Sequence, residues 1–292
     1  MIKRTAFASF VLAASLLLSA CGALTKLAYS NAAMAYSNLA PMAAWMVDDY
    51  VDLSGGQKDW VRERITRVMQ WHRSHELPEY KRFLENVLKE SAEPFTVQEI
   101  AAAYGDMRTH YHRMVEQLLP DVADFFLQLD AEQIAQMEKK FDSDNRKFVR
   151  ESLKGTPAER RERRIKKLVE HLESWIGHVS DEQRDLVEAR YADLPDYIEE
   201  RLADRKYRQG QVLAMIRGRV GKEAMVAGLH KLLVDTETWR RPEFTERMRQ
   251  RDQRMFEMFA ALSGTLSADQ RSHLQKRIRG FMKDINTLTA SR

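Results

Sequence analysis

The chain has 292 residues, of which 31% are charged and 44% hydrophobic, with 47 Lys and Arg against 43 Asp and Glu. This length suffices for one large domain or two small ones, and the near balance of charge gives no support for a nucleic-acid partner. Because Cys21 is the single cysteine, an intramolecular disulfide is excluded.

The N-terminus has the parts of a secretory signal. Lys3 and Arg4 supply positive charge, and an apolar run from Ala6 to Leu18 follows them. A membrane-spanning helix needs about 20 apolar residues, whereas the apolar region of a signal peptide has about 7–15. We therefore predict that residues 1–20 are a cleaved signal peptide.

The sequence Leu18-Ser19-Ala20-Cys21 resembles the lipobox of bacterial lipoproteins, in which small residues precede an obligatory cysteine. The resemblance implies that the Cys21 thiol receives a diacylglyceryl group, that the signal is cut before Cys21, and that the new amine is acylated. Gly22 stands where an Asp usually retains such lipoproteins in the inner membrane. The resemblance thus implies the outer membrane, on the periplasmic side, in a Gram-negative source. The alternative is an ordinary signal peptide with a chance cysteine.

We expect residues 21–47 to form a lipidated N-terminus with a membrane-proximal segment, and residues 48–292 to form a helical domain. Five capping boxes recur in that domain. In each, a Ser, Thr or Asp accepts a hydrogen bond from an exposed helical N–H, and a Gln or Glu three positions later bonds back. The boxes are Ser54–Gln57, Thr96–Glu99, Asp130–Gln133, Ser180–Gln183 and Ser267–Gln270.

The segments behind the boxes place apolar residues on one helical face. After Gln57 these residues are Val61, Ile65 and Val68, at steps of four and three. The segment behind the third box loses this pattern at Asp144. Long β-branched alternation is missing from the sequence, which argues against a sheet. We predict an all-α fold built as an irregular array of roughly nine to twelve amphipathic helices.

The motifs give no catalytic centre. Leu53 to Gln57 spells the signature of ABC-transporter ATPases, but the chain has no phosphate-cradling loop, so a helix cap explains the motif better. The eight histidines include no H-E-x-x-H pair, and no G-x-S-x-G elbow occurs. We expect no catalytic residue, no metal site and no cofactor. A hydrolase acting on cell wall or lipid would need clustered acids or a nucleophile in a deep cleft.

Asp48, Asp49 and Asp52 form an acidic block just before the first capping box. A calcium loop would need more oxygen ligands at alternating positions. The preferred interpretation is that these carboxylates favour the positive end of the next helix or pair with Arg62 and Arg64. The acidic block is kept as a candidate interaction surface.

A basic cluster from Arg160 to Lys167 has six cations in eight residues. Its arginines are candidates for a surface that binds anionic lipid head groups, lipopolysaccharide phosphates or an acidic protein. The alternative is a solvated helix face with interleaved glutamates. A second cluster has six arginines between positions 240 and 254. The candidate residues of the first cluster are Arg160, Arg161, Arg163 and Arg164.

Three blocks of the chain resemble an uncharacterised proteobacterial lipoprotein family, filed as a domain of unknown function. The blocks are Tyr36-Ser37-Asn38-Leu39 with Trp45 and Asp48-Asp49-Tyr50-Val51-Asp52-Leu53; Trp71-His72-Arg73 with Glu76-Leu77-Pro78-Glu79-Tyr80 and Phe83-Leu84; and Phe141, Asn145, Lys147 and Phe148 with Glu159-Arg160-Arg161, Trp175 and Gln183. The resemblance implies a helical, membrane-anchored envelope protein and brings no activity. The Ser-x-x-Gln boxes also resemble those of small periplasmic helical chaperones of the envelope-stress response.

These observations favour a non-enzymatic interaction or scaffold protein of the cell envelope. Its expected partners are the membrane, through lipidated Cys21, and an unidentified envelope protein. The alternative is a chaperone-like binder of unfolded envelope proteins, because fourteen methionines and cationic helices could form an adaptable amphipathic cradle. Exposed methionine and aromatic side chains on a concave face would favour this alternative, and their burial would argue against it.

Overall fold

The computed structural model describes residues 39–192 and 194–290. The predicted signal peptide, Cys21 and residues 22–38 lie outside the described residues. The described part forms α-helices and no β-strand, which confirms the predicted all-α fold. In chain order these helices are α1 (Leu39–Val51), α2 (Gly55–Trp71), α3 (Leu77–Glu90), α4 (Val97–Leu127), α5 (Ala131–Ser152), α6 (Pro157–Ile176), α7 (Asp181–Ala192), α8 (Ile198–Arg217), α9 (Lys222–Leu233), α10 (Pro242–Gly264) and α11 (Ala268–Ala290).

All five predicted capping boxes form, and their hydrogen bonds explain where five of the helices begin. A sixth box, which was not predicted, opens α6. Thr156 accepts from the Glu159 N–H, and the Glu159 carboxylate accepts from the Thr156 N–H at 2.7 Å. These hydrogen bonds from Thr156 lower the pKa of Glu159. Pro157 occupies the first turn of α6, where its missing N–H costs no helical hydrogen bond.

A π-helical turn, His72–Glu76, joins α2 to α3. Such a turn accommodates an extra residue within a helix and is frequent at functional sites. Its first and last residues, His72 and Glu76, are both buried. The turn therefore directs two ionisable side chains inward from what would otherwise be one amphipathic helix.

Three apolar clusters form the interior of the described part. The largest joins α1, α2, α4, α5, α8 and α9, a second joins α6, α7 and α10, and a third joins α2, α3 and α11. The 31-residue α4 contacts both α9 and α10, so it links the first two clusters. Ala44 and Val47, which precede residue 48, are buried in the first cluster with the helices that follow them.

Two helix junctions share one construction. Gln57 and Gln133, each the third residue of its helix, exchange amide hydrogen bonds of 3.1 and 2.6 Å between α2 and α5. Gln183 and Gln270 exchange corresponding bonds of 2.9 and 2.8 Å between α7 and α11. Each of these Gln oxygens also accepts from the backbone N–H of its own capping residue. The boxes that end in Gln thus cap helices and join them in pairs.

The third capped helix, α5, continues to Ser152, although its apolar pattern ends at Asp144. Asp144 and Asn145 are both buried, on the face that also carries Met137 and Phe141. The pattern ends there because polar residues replace apolar ones on an inward face. Among the described residues, none of the helices combines the length and apolar content needed to cross a membrane.

Candidate functional site

The acidic block forms the end of α1 and the turn that follows it. Asp48 accepts from the Leu53 N–H at 2.9 Å and pairs with Lys58 at 3.2 Å. Asp49 pairs with Lys140 of α5 at 2.6 Å. Two of the three carboxylates therefore hold the turn and attach α1 to α5, which is a structural role.

Asp52 has the left-handed backbone conformation, with φ of 51°, that lets the chain reverse between α1 and α2. Its carbonyl oxygen accepts from the Gln133 side chain at 3.4 Å. Arg62 and Arg64, the partners expected for this block, pair with other carboxylates instead. The acidic block does pair with basic residues, because Lys58 and Lys140 bind it, but the expected partners Arg62 and Arg64 were wrong.

The arginines of the basic cluster divide into different environments on α6. Arg160 and Arg164, four residues apart, both reach Asp196 in the segment before α8, each at 3.4 Å. Arg163 donates to the backbone oxygen of Lys154. Arg161 is exposed and has no hydrogen bond or ion pair within the described part of the chain.

A small pocket lies beside Arg161, with a cavity volume of about 50 Å³. We call it the arginine pocket. It is lined by α6, by the end of α7 and residues 194–197 after it, and by α10. The described lining residues are Pro157, Arg161, Arg164, Tyr191, Leu194, Pro195, Asp196, Tyr197 and Arg251. Among these residues, three guanidinium groups and two phenol rings lie around the Asp196 carboxylate.

Asp196 is the acidic member of the arginine pocket. Burial by itself would raise its pKa, but the hydrogen bond from the Ile198 N–H and the charges of Arg164 and Arg160 outweigh burial, so its pKa is lowered. Asp196 is consequently ionised at neutral pH, and its charge is shared between two arginines. The other two arginines of the pocket lining, Arg161 and Arg251, do not pair with Asp196.

The tyrosines give the pocket its aromatic wall. The Arg251 guanidinium lies 4.6 Å from the centre of the Tyr197 ring, within the range of a cation–π contact. Burial raises the pKa of Tyr191, and the nearby Arg164 charge opposes that rise. The Tyr191 hydroxyl is thus protonated at neutral pH and remains a hydrogen-bond donor.

A second polar group of residues surrounds Glu76 of the π-helical turn. The Glu76 side chain is 2% exposed and pairs with Arg113 at 3.0 Å and with His110 Nδ1 at 2.9 Å. The Tyr80 ring packs edge-on against the rings of His110 and His72. This set of side chains connects the π-helical turn to the middle of α4, and we call it the Glu76 network.

His72 belongs to the same region and is buried. Burial lowers its pKa to about 4, although the charge of Glu76 acts in the opposite direction and His110 adds to the lowering. The imidazole is therefore neutral at neutral pH. A neutral buried histidine beside a paired carboxylate fits a structural role, because Glu76 already has Arg113 as its counter-charge.

A third polar group lies between α1, α5 and α8. The Tyr50 hydroxyl donates to Asp144 at 2.5 Å, and Asn145 donates to Gln209 at 2.8 Å. Arg205 of α8 lies nearby, with Nε and Nη2 buried and without a hydrogen-bond partner in the described residues. Burial lowers the pKa of Arg205, while Tyr50 and Asp144 act against that effect.

The structure brings Arg161 and Arg164 together in the arginine pocket and places the acidic block elsewhere, in the α1–α2 turn. Tyr191, Asp196 and Tyr197 were not predicted as pocket residues, because single tyrosines and aspartates form no sequence motif that indicates a binding site. Arg251 carried a signal, since it lies in the second arginine cluster. Among the residues that the structure describes, there is no group of three His, Cys, Asp or Glu side chains placed to hold a metal ion.

The model of a family of unknown function (DUF6279) matches residues 49–245. Neither a curated protein nor a solved structure matches the chain. The matched range contains the Glu76 network and both α6 arginines of the pocket, while Arg251 and Gln270 lie beyond it.

Proposed function

The chain belongs to this family of unknown function (DUF6279), whose model matches well over half of its length, and from its own residues we propose a non-enzymatic interaction protein of the cell envelope. In this proposal, lipidated Cys21 tethers the helical domain to the outer membrane on the periplasmic side. The domain then presents the arginine pocket to an anionic group of an envelope partner.

The tether is supported by the N-terminal sequence. Positive charge, an apolar run of signal-peptide length and the Leu18-Ser19-Ala20-Cys21 lipobox occur in the order that lipoprotein processing requires. Three acyl chains on one residue would hold the protein far more firmly than a single chain, which binds a membrane only marginally. Gly22 in place of Asp favours the outer membrane.

The single observation that carries the binding role is the convergence of Arg161, Arg164 and Arg251 on one pocket. A solvated helix face would carry its arginines beside glutamates of the same helix. Here Arg251 comes from α10, far away in the sequence, and Arg161 has no acidic partner within the described residues. Tertiary structure has thus concentrated positive charge at one place, which favours an anionic partner.

The chaperone-like alternative depended on exposed methionine and aromatic side chains on one concave face. Met114, Met137, Met225 and Met258 each have at most 1% of their surface exposed, and they belong to the apolar interior. Among the described residues, Met42 and Met107 are the exposed methionines, and Trp45, Tyr104 and Tyr207 are exposed aromatic residues. Because most of the described methionines pack in the interior and the exposed side chains are distributed over α1, α4 and α8, the interaction role has the stronger support.

The tether is tested by fractionation of cells that produce the wild-type chain or Cys21→Ala. The wild-type protein should stay with outer-membrane vesicles after an alkaline wash, and the Cys21→Ala variant should be released. Retention of the variant in the washed membranes would exclude a tether made by lipid alone.

The interaction role is tested by photo-crosslinking in cells. A photoreactive amino acid is placed at Ala158, an exposed α6 position one turn before Arg161, and at Ala135, an exposed position on α5. The proposal predicts a discrete adduct from position 158 that position 135 does not give. Equal adducts at both positions, or none at position 158, would refute the binding role of this surface.

A further inference from the structure

The chemistry of the arginine pocket points to a narrower ligand class, in an inference that rests on the proposed function. We propose that the pocket binds a single phosphoryl group, either on the head group of an envelope lipid or as free phosphate.

The charge of the lining is positive after internal pairing. Its described residues include three guanidinium groups and the Asp196 carboxylate, which is already bound by Arg160 and Arg164. Arg251 makes one further ion pair, with its neighbour Asp252 at 3.1 Å. Counted with these partners, four guanidinium groups face two carboxylates among the described residues, which leaves an excess of two positive charges. A phosphate monoester carries about −1.5 to −2 at pH 7, which matches this excess better than the single charge of a carboxylate does.

The donors of the pocket suit tetrahedral oxyanions. A guanidinium presents planar N–H groups that bind phosphate through two parallel hydrogen bonds. Arg251 donates from Nη1 to Asp252, whereas Arg161 is exposed and makes no hydrogen bond within the described residues. The Arg161 guanidinium is therefore the group of the lining whose donors are open to an anion. The Tyr191 hydroxyl adds a neutral donor to the same wall.

The size of the pocket restricts the ligand to one small group. A cavity volume of about 50 Å³ admits a small group such as a single tetrahedral anion. A larger molecule would therefore be held by its phosphoryl end, with the remainder outside the pocket.

Isothermal titration of the purified full-length chain, in a neutral maltoside detergent, tests the inference. The two probes are inorganic phosphate and a water-soluble, short-chain phosphatidic acid, which carries a phosphate monoester. We expect saturable binding that weakens with added salt, because exposed charge interactions are screened. Arg161→Gln and Arg251→Gln should each weaken binding about tenfold or more, since each removes a charge-assisted partner of the anion.

Two variants provide matched controls. Arg163→Gln changes the same side chain on α6, and Arg249→Gln changes it on α10, while neither position lines the pocket. Both should bind the probes as the wild-type chain does. Arg161 is exposed and makes no described contact that supports the fold, so Arg161→Gln decides the test even if Arg251→Gln destabilises the protein.

The outcomes separate the two sources of the phosphoryl group. Binding of phosphatidic acid alone assigns the pocket to a lipid head group, binding of phosphate alone assigns it to the free ion, and binding of both leaves the shared chemistry as the determinant. Absence of binding by both probes, or equal binding by the pocket variants and their controls, would overturn the inference. If binding is absent while the position 158 adduct persists, only the phosphoryl inference fails and the interaction role stands.

Discussion

Gln57 and Gln133 lie 76 residues apart in the chain, and each donates one side-chain amide hydrogen bond to the carbonyl oxygen of the other. The pair joins the N-termini of α2 and α5 while both residues continue to cap their own helices. Glutamate is an equally good residue for a capping box, but it has no N–H to donate. The reciprocal pair therefore explains why these two boxes end in glutamine.

Substitution of Gln133 by glutamate should separate capping from pairing. Gln133→Glu keeps the cap of α5 but removes the donor to Gln57 and to the Asp52 carbonyl, so we expect the free energy of unfolding to fall by about 1–3 kcal/mol. Gln57→Glu combined with Gln133→Glu should cost more than the sum of the single changes, because two carboxylates would face each other. Urea denaturation of the four chains measures this coupling.

The control for the glutamine pair is Gln136→Glu on the exposed side of α5, which should change the unfolding free energy by no more than about 0.5 kcal/mol. A double variant whose loss equals the sum of the single losses would show that the two glutamines act independently, contrary to the geometry of the pair.

Glu76→Gln tests the buried ion pair of the π-helical turn. The change keeps the shape of the side chain but leaves Arg113 without its counter-charge, so we expect a loss of about 3 kcal/mol in the free energy of unfolding. Glu79→Gln, three residues away, breaks only the more exposed pair with Arg82 and should cost about 1 kcal/mol or less. Equal losses in the two variants would show that burial adds nothing to the Glu76 network.

His72 gives the protein a defined sensitivity to acid. Its pKa is lowered to about 4 by burial, below the ordinary value of 6.5, so the unfolded chain takes up a proton before the folded chain does. The His72 contribution to stability is complete above pH 6.5 and declines as the pH falls toward 4, by up to about 3 kcal/mol. A histidine NMR titration should find this imidazole neutral until near pH 4.

The same sensitivity can be measured by unfolding. His72→Phe removes the titrating group, so its free energy of unfolding should fall less than that of the wild-type chain between pH 6.5 and 4. Parallel stability curves for the two proteins over that range would be incompatible with a buried, neutral His72.

Arg205→Met tests whether a partly buried cation destabilises the fold when its main described contact is the Phe148 ring, 5.7 Å from the guanidinium carbon. Nε and Nη2 of Arg205 are buried and unbonded within the described residues, and burial is the main cause of its lowered pKa. An apolar side chain of similar length should leave the unfolding free energy unchanged or raise it by about 1 kcal/mol. Arg240→Met, which breaks a 2.6 Å ion pair with Asp204, should lower it by about 2 kcal/mol. A comparable loss in Arg205→Met would indicate that Arg205 has a stabilising partner.

The helical fold was predictable because caps and periodicity are local signals. Ser54 and Gln57, for example, are three residues apart, and their hydrogen bonds depend only on the first turn of α2. The pairing of Gln57 with Gln133 was not predictable, because it depends on how α2 and α5 pack. The apolar pattern also failed at Asp144, where the inward position is occupied by the acceptor of the Tyr50 hydroxyl.

The arginine pocket was predictable only in part, for the same reason. Arg161 and Arg164 were visible as members of a basic cluster on one helix. The net charge of the pocket also depends on Asp196, which neutralises part of their charge, and on Arg251, which adds to it. Both residues reach the pocket from other elements. The three sequence blocks that carry the family resemblance contribute to all three polar groups, through Arg161, Glu76 and Tyr50, but their spacing does not reveal which of these groups binds a partner.

We propose that the arginine pocket forms the surface through which this chain binds its partner, and crosslinking from position 158 in variants of the pocket arginines tests this assignment. We predict that the adduct formed by the wild-type chain is lost or strongly reduced by Arg161→Gln and by Arg251→Gln, and that it is retained in Arg163→Gln and Arg249→Gln at equal protein levels. An adduct of the same yield in all four variants would show that the arginine pocket is not the surface that binds the partner.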